Sequence, residues 1–221
     1  MVALLIAAAA YEWARLCAMQ APLYALSLGA VFFFIPPDPA WFLLAATFWV
    51  LITPLWLWRG VTAAHKRILA LAGVPLLLPA GLAMVVLPAP QVLAVLALTW
   101  IADTTAYFAG TRWGRHKLAP SISPGKTWEG AAGGLAGVLV YAGIMAAMVE
   151  GIAWAPFLGA AMLLAVLSIV GDLFESAAKR QAAVKDSGAL LPGHGGILDR
   201  IDSATSTLPI AAALAPWIVG K

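Results

Sequence analysis

Residues 153–178 read AWAPFLGAAMLLAVLSIVGDLFESAA, uncharged from Ala153 to Gly171 and then carrying Asp172 and Glu175. An uncharged run of roughly 20 residues is long enough to cross a hydrocarbon core about 30 Å thick as an α-helix. Only helices or closed barrels can span lipid, because each backbone N–H and C=O must be paired internally, and this run lacks the alternation of a barrel strand. Similar runs recur along all 221 residues, of which 63% are hydrophobic and 10% charged, and mean hydropathy is +0.93. The chain therefore reads as all-α, a polytopic integral membrane bundle of about eight transmembrane helices. It forms a single membrane domain, 1–221: apolar helices over 1–90, then helices and loops carrying the polar residues over 91–221. The single Cys17 excludes an intrachain disulfide framework and a multi-cysteine metal site. A net charge of +3 is too small to call for a nucleic-acid partner. The N-terminus is apolar at once, without a basic leader, and reads as a membrane helix rather than a signal peptide.

Breaks in the hydrophobic pattern place helices at 1–19, 21–35, 40–58, 67–88, 91–110, 127–149, 153–178 and 197–219. Pro36-Pro37-Asp38-Pro39 and Pro88-Ala89-Pro90 mark tight turns between them. Charge then orients the bundle. Arg15, Arg59, Lys66, Arg67, Arg112, Arg115, Lys117, Lys126, Lys179, Arg180, Lys185 and Arg200 all fall on one side, leaving only the terminal Lys221 of the 13 basic residues on the other. The positive-inside rule makes that side cytoplasmic, with both termini outside and the polar loops 111–126 and 176–196 facing the cytoplasm together. Gly130, Gly133, Gly134 and Gly137 form small-xxx-small pairs suited to close helix packing.

Half of the ten acidic residues lie between Asp172 and Asp202, where charge is costly near lipid and points to a charged ligand. Asp172, Glu175, Ser176 and Lys179 share one helical face by their i, i+3, i+4, i+7 spacing. A Glu175–Lys179 pair alone would be an ordinary helix-end device, but it leaves Asp172, one turn deeper, unexplained. Asp199 and Asp202 stand at i, i+3 in the first turns of the last helix. Such paired carboxylates repel unless a cation lies between them, and hard oxygen ligands without thiolate suit Mg²⁺. A purely structural ion-pair network is the alternative. Before them, Gly193-His194-Gly195-Gly196 makes a backbone able to approach a phosphate, opening onto a helix N-terminus. Lys179, Arg180 and Lys185 add the positive charge that phosphates require.

A second polar region has matching character. Asp103, within a membrane helix, is a functional-site candidate because of its depth. Gly125-Lys126-Thr127 imitates the end of a phosphate-binding P-loop, but Pro120 stands where that motif needs Gly. The segment reads instead as a polar turn, with Thr127 capping the next helix and Lys126 aimed at phosphate.

Ser176-x-x-Lys179-Arg180-x4-Lys185-Asp186-x-Gly188-x2-Leu191-Pro192-x-His194-Gly195-Gly196-Ile197-x-Asp199-Arg200-Ile201-Asp202 resembles the signature of phosphatidate cytidylyltransferases, or CDP-diacylglycerol synthases. Asp103, Ala106-Tyr107, Gly110 and Ser123-Pro124-x-Lys126-Thr127-x-Glu129-Gly130 resemble that family's second polar region. Ala178 departs mildly, standing where a larger apolar residue is usual. The resemblance implies condensation of CTP with phosphatidate from the bilayer, giving CDP-diacylglycerol and pyrophosphate for phospholipid biosynthesis. It also implies dependence on Mg²⁺, alone or with a second cation, a homodimer, and a site on the cytoplasmic face of the cell's inner membrane. Members of that family generally begin with one more basic-flanked helix, which would move the N-terminus to the cytoplasm. On this reading Asp172, Asp199 and Asp202 hold the metal, and Asp103 and Lys179 join them as catalytic groups. Ser123, Lys126, Thr127, Ser176, Arg180, Lys185, His194, Gly195, Gly196 and Arg200 bind CTP or the lipid headgroup. A CTP-dependent polyprenol or lipid kinase is the runner-up, and an ion-coupled transporter a more distant rival.

Overall fold

In the computed structural model, residues 1–190, 193 and 195–218 are described. They form eight helices: α1 (Val2–Leu16), α2 (Ala21–Phe34), α3 (Pro39–Arg59), α4 (Lys66–Val86), α5 (Ala89–Trp113), α6 (Trp128–Met148), α7 (Trp154–Gln181) and α8 (Leu198–Ile218). Between α5 and α6 lies an antiparallel hairpin, β1 (Lys117–Ala119) and β2 (Ser123–Thr127), pairing Lys117 with Thr127 and Ala119 with Ser123. Helices at Pro39–Arg59, Ala63–Val86, Ala89–Trp113, Trp128–Met148 and Trp154–Gln181 are long and apolar enough to cross a membrane. The helices at 15 and 14 residues, α1 and α2, are shorter than the roughly 20 residues of a full span.

Local chemistry accounts for the helix boundaries. Asp38 caps α3, its carboxylate accepting from the Ala40 N–H at 2.8 Å, with Pro39 pre-set for the first turn. Midway, α3 widens into a π-turn at Thr47–Ile52, two residues short of Pro54, whose ring would clash with the preceding turn of a regular helix. Thr127 caps α6 by accepting from the Gly130 N–H at 3.0 Å, as its position suggested. Two boundaries run beyond the sequence reading. The helix expected to stop at 110 continues to Trp113, and the one expected to stop at 178 continues to Gln181. Lys179 and Arg180 thus form the last turn of α7, where cations suit the negative end of the helix dipole. The expected polar turn before α6 is a strand pair.

Packing is tightest where side chains are smallest. The glycine stripe of α6 lies against α5: a Cβ on Gly134 would stand 3.0 Å from the Ala102 carbonyl oxygen, and one on Gly130 would stand 2.9 Å from that of Ala106. Gly171 brings α7 equally close to α8, facing Ser206 and the Asp202 carbonyl. Ser206 reinforces the pair by donating to the Leu167 carbonyl at 2.8 Å. At the centre of the aromatic core, Phe174 is fully buried, with ring centroids of Trp56, Phe48, Trp49 and Trp13 at 5.4, 5.5, 5.9 and 6.0 Å. Aromatic pairs at such spacings add attraction beyond their burial. They pin α7 to α1 and α3 at the turn that carries Asp172 and Glu175.

Candidate active site

The two polar regions meet at one end of the bundle. A cavity of about 450 Å³ lies between α5, the hairpin and α7, lined among others by Asp103, Tyr107, Ser123, Lys126, Thr127 and Asp172. That volume falls in the range of roughly 300–1,000 Å³ usual for small-molecule sites. Lys126, on β2, makes an ion pair with Asp172 on α7, and each side chain keeps about a quarter of its surface exposed (25% and 27%). Ser176 donates to the Asp172 carboxylate at 3.2 Å. The hairpin is held from both sides. Glu129, in the first turn of α6, accepts from the Arg115 and His116 N–H groups at 3.1 and 3.2 Å and meets His116 Nδ1 at 2.6 Å. Arg180 donates from Nε to the Ile122 carbonyl at 3.2 Å, so the end of α7 clasps the hairpin tip. Lys126 therefore projects from a braced support.

A second cluster centres on Asp199. Its Oδ1 lies 2.7 Å from Lys179 Nζ. Its Oδ2 accepts from the Ser187 N–H at 3.0 Å, the Ser187 hydroxyl at 2.9 Å and the Gly196 N–H at 2.9 Å. Lys179 is shared with Glu175, whose Oε1 is 3.1 Å away and whose side chain is only 3% exposed. Bracketed by two carboxyl groups, the lysine supplies the positive charge that a carboxylate at this depth requires. Asp202, one turn further along α8, is half-buried and accepts from the Ser203 N–H at 2.7 Å. It interacts electrostatically with Asp172, Asp103 and Lys179.

The structure thus draws Asp103, Lys126, Asp172 and Asp202 together and places Asp199 with Lys179 beside them. The i, i+3 carboxylates of α8 do not share a hydrogen-bond donor: Asp199 accepts from Lys179, Ser187 and Gly196, whereas Asp202 accepts from the Ser203 N–H and lies within electrostatic range of Asp172 and Asp103. Among the described residues no three His, Cys, Asp or Glu groups converge closely enough to hold a metal ion by themselves. Gly196, read as a phosphate-facing glycine, has its N–H engaged by Asp199. Gly195 takes φ +83°, which glycine adopts without strain. Lys185 and Arg200 are exposed, on the turn and on the first turn of α8. His194 lies outside the described residues, as do Leu191, Pro192 and 219–221.

Sequence reading did not single out Glu12. It sits on α1, fully buried, and its Oε2 accepts from the Leu198 N–H at 2.8 Å and the Ser187 hydroxyl at 3.1 Å. The available signal was a carboxylate following the uncharged run Val2–Tyr11 of a membrane-type helix, a placement that marks a functional-site candidate.

Comparison with known proteins matches the Cytidylyltransferase family to residues 1–217. The phosphatidate cytidylyltransferase of Pseudomonas aeruginosa is 41% identical over 231 aligned positions, covering 96% of this chain and 84% of that one. The proteins of the same name from Haemophilus influenzae and Thermotoga maritima are 47% and 43% identical over about half of this chain (52% and 56%) and less than half of their own lengths (42% and 48%). With the family match running from the first helix almost to the end of the last, the chain belongs to the cytidylyltransferase family, as a membrane-embedded enzyme of phospholipid biosynthesis.

Proposed function

We propose that the reaction of this enzyme, CTP and phosphatidate to CDP-diacylglycerol and pyrophosphate, takes place in the cavity between α5, the β1–β2 hairpin and α7. The observation that carries this is the Lys126–Asp172 pair on its wall, a cation and a carboxylate from the two polar regions, both accessible. In the reaction a phosphate oxygen of phosphatidate bonds to the α-phosphorus of CTP, and the bond to the β-phosphate oxygen breaks, releasing pyrophosphate. The attacking phosphate is already ionised at neutral pH, so no strong base is needed. The barrier is the approach of two polyanions, lowered by positioning and electrostatic stabilisation. Lys126 turns from Asp172 to a phosphate. Arg180, which donates to the hairpin, and the exposed Lys185 and Arg200 add positive charge, and Ser123, Ser176 and Thr127 offer hydroxyls for orientation.

The carboxylates would hold Mg²⁺ together with substrate oxygens, since among the described residues no three of them converge on one ion by themselves. Asp103, Asp172 and Asp202 bring three carboxylates into one neighbourhood, an excess of hard, negative oxygen over Lys126. Asp172 and Asp202 would hold the ion, and Asp199, already neutralised by Lys179, supports them from the adjoining cluster. A bound Mg²⁺ would neutralise triphosphate charge and draw electron density from the α-phosphorus. Segregation of basic residues supports a site on the cytoplasmic side of the inner membrane, open to CTP from water and to phosphatidate from lipid.

The test uses purified protein in detergent with α-labelled CTP, phosphatidate and Mg²⁺. Labelled liponucleotide with pyrophosphate is expected, and Asp202→Asn should lower turnover by about 100-fold or more. Labelled CDP together with a newly phosphorylated lipid would overturn the reading in favour of a kinase. For sidedness, the thiol of a Ser121→Cys variant, at an exposed position of the hairpin, should react only from the cytoplasmic side, and labelling from outside would overturn the orientation.

A further inference from the structure

Glu12 and Asp199 flank one hydroxyl and share its single proton. Ser187 Oγ lies 3.1 Å from Glu12 Oε2 and 2.9 Å from Asp199 Oδ2. The same Glu12 oxygen accepts from the Leu198 N–H at 2.8 Å. One carboxylate of α1 therefore grips both flanks of the turn before α8: Ser187 on its incoming side and Leu198, next to Asp199, on its outgoing side. The two glycines beside these contacts are small for the same reason. A Cβ on Gly188 would collide with Glu12 Oε1, and one on Gly196 would collide with Ser187 Oγ and come within 2.5 Å of Glu12 Oε2. Among the described residues, Oε1 has no hydrogen-bond partner. Burying a carboxylate so completely is costly, and a helix-packing role alone would be served better by an apolar residue.

Other features tie α1 to the same end of the molecule. Trp13, beside Glu12, donates to the Leu69 carbonyl at 2.9 Å and stacks on Phe174. Gln181, at the end of α7, donates to the Leu16 carbonyl at 2.7 Å. The first helix is thus fixed to α4 and α7, a firm base from which Glu12 reaches Ser187 and Leu198.

We propose that Glu12 is a positioning residue. It acts through Ser187 and the Leu198 N–H to set the turn that presents Asp199, and through Asp199 it fixes Lys179. The catalytic part of this inference rests on the function proposed above. The geometric part does not, and the test separates them. An Ala189→Cys substitution, at an exposed position of the turn, reports the turn by its rate of thiol labelling. The natural Cys17, buried at the end of α1, reports the seating of that helix. When Glu12→Ala is added to the Ala189→Cys background, the turn thiol should label several-fold faster while Cys17 stays unreactive. In the same variant kcat/KM for CTP should fall about 10–100-fold, the usual cost of losing a group that orients a site residue. Glu12→Gln keeps a carbonyl oxygen for both donors and should restore both readouts to near wild type. Ser187→Ala should reproduce the kinetic loss, and the double variant Glu12→Ala/Ser187→Ala should add little to it.

Unchanged labelling of the turn thiol in Glu12→Ala would overturn the proposal. So would simultaneous exposure of Cys17, which would make Glu12 a packing residue of α1, or a Gln variant as impaired as Ala. If the wild-type protein makes no liponucleotide, the function falls, and the labelling result still decides whether Glu12 holds the turn.

Discussion

Two lysine–carboxylate pairs stand side by side in this molecule and differ in nearly every respect. Lys126 and Asp172 come from different structural elements, face the cavity, and each keep about a quarter of their surface exposed. Lys179 is 13% exposed, lies between Glu175 and Asp199, and shares Asp199 with the Ser187 and Gly196 donors. An accessible pair gives up little when it opens, because water replaces each partner. A buried triad cannot lose its cation without leaving buried negative charge uncompensated. The first pair is suited to exchange with substrate and the second to holding the turn and α8 in register.

The largest effect expected is from Lys179→Ala. Removing the central charge should destabilise the fold by about 3–5 kcal/mol, seen as a large drop in the thermal midpoint in detergent. An unaltered midpoint would dissolve the distinction. Lys126→Ala should do the opposite, lowering kcat/KM by about 100-fold or more while the midpoint hardly moves. A loss of stability equal to that of Lys179→Ala would make the two pairs alike. Thr127→Ala removes the cap of α6 directly beside Lys126 and should cost about 1 kcal/mol of stability, together with a rise in KM for CTP as the lysine loses its support. Ser176→Ala deletes the hydroxyl bond to Asp172 and should cost about 0.5–1.5 kcal/mol at most, seen as a small drop in the thermal midpoint. Raising salt should weaken phosphate binding by Lys126 more than it weakens the Lys179 triad, since buried charges are screened less.

Much of this was legible from residue order. Uncharged runs and proline breaks place each helix to within a few residues, because helix length in lipid is dictated by bilayer thickness. The cap at Thr127 and the glycine stripe of α6 were legible too, since capping and close packing need particular residue types at particular spacings. Ser123, Lys126 and Thr127 could be linked to Asp172 only as two polar regions of one side. That Lys126 pairs with Asp172 follows from how α5 and α6 dock on α7. The hairpin was illegible because its strands, of three and five residues, are too short for periodicity to register. The separate partners of Asp199 and Asp202 were hidden as well: i, i+3 spacing puts two residues near one face, yet about 60° of rotation between them is enough to aim them at different neighbours.

Residue order alone dictates a helical membrane protein with its charge gathered at one end, because hydrophobic length and the cost of charge in lipid are properties of composition and order. Which of those charges meet is a matter of how the helices dock. Glu12 lies 175 residues from Ser187 along the chain and 186 from Leu198, and no local pattern encodes that meeting. It arises because Phe174 draws α1, α3 and α7 into one aromatic core, Gly171 lets α8 close on α7, and a buried carboxylate must find its donors wherever packing has brought them.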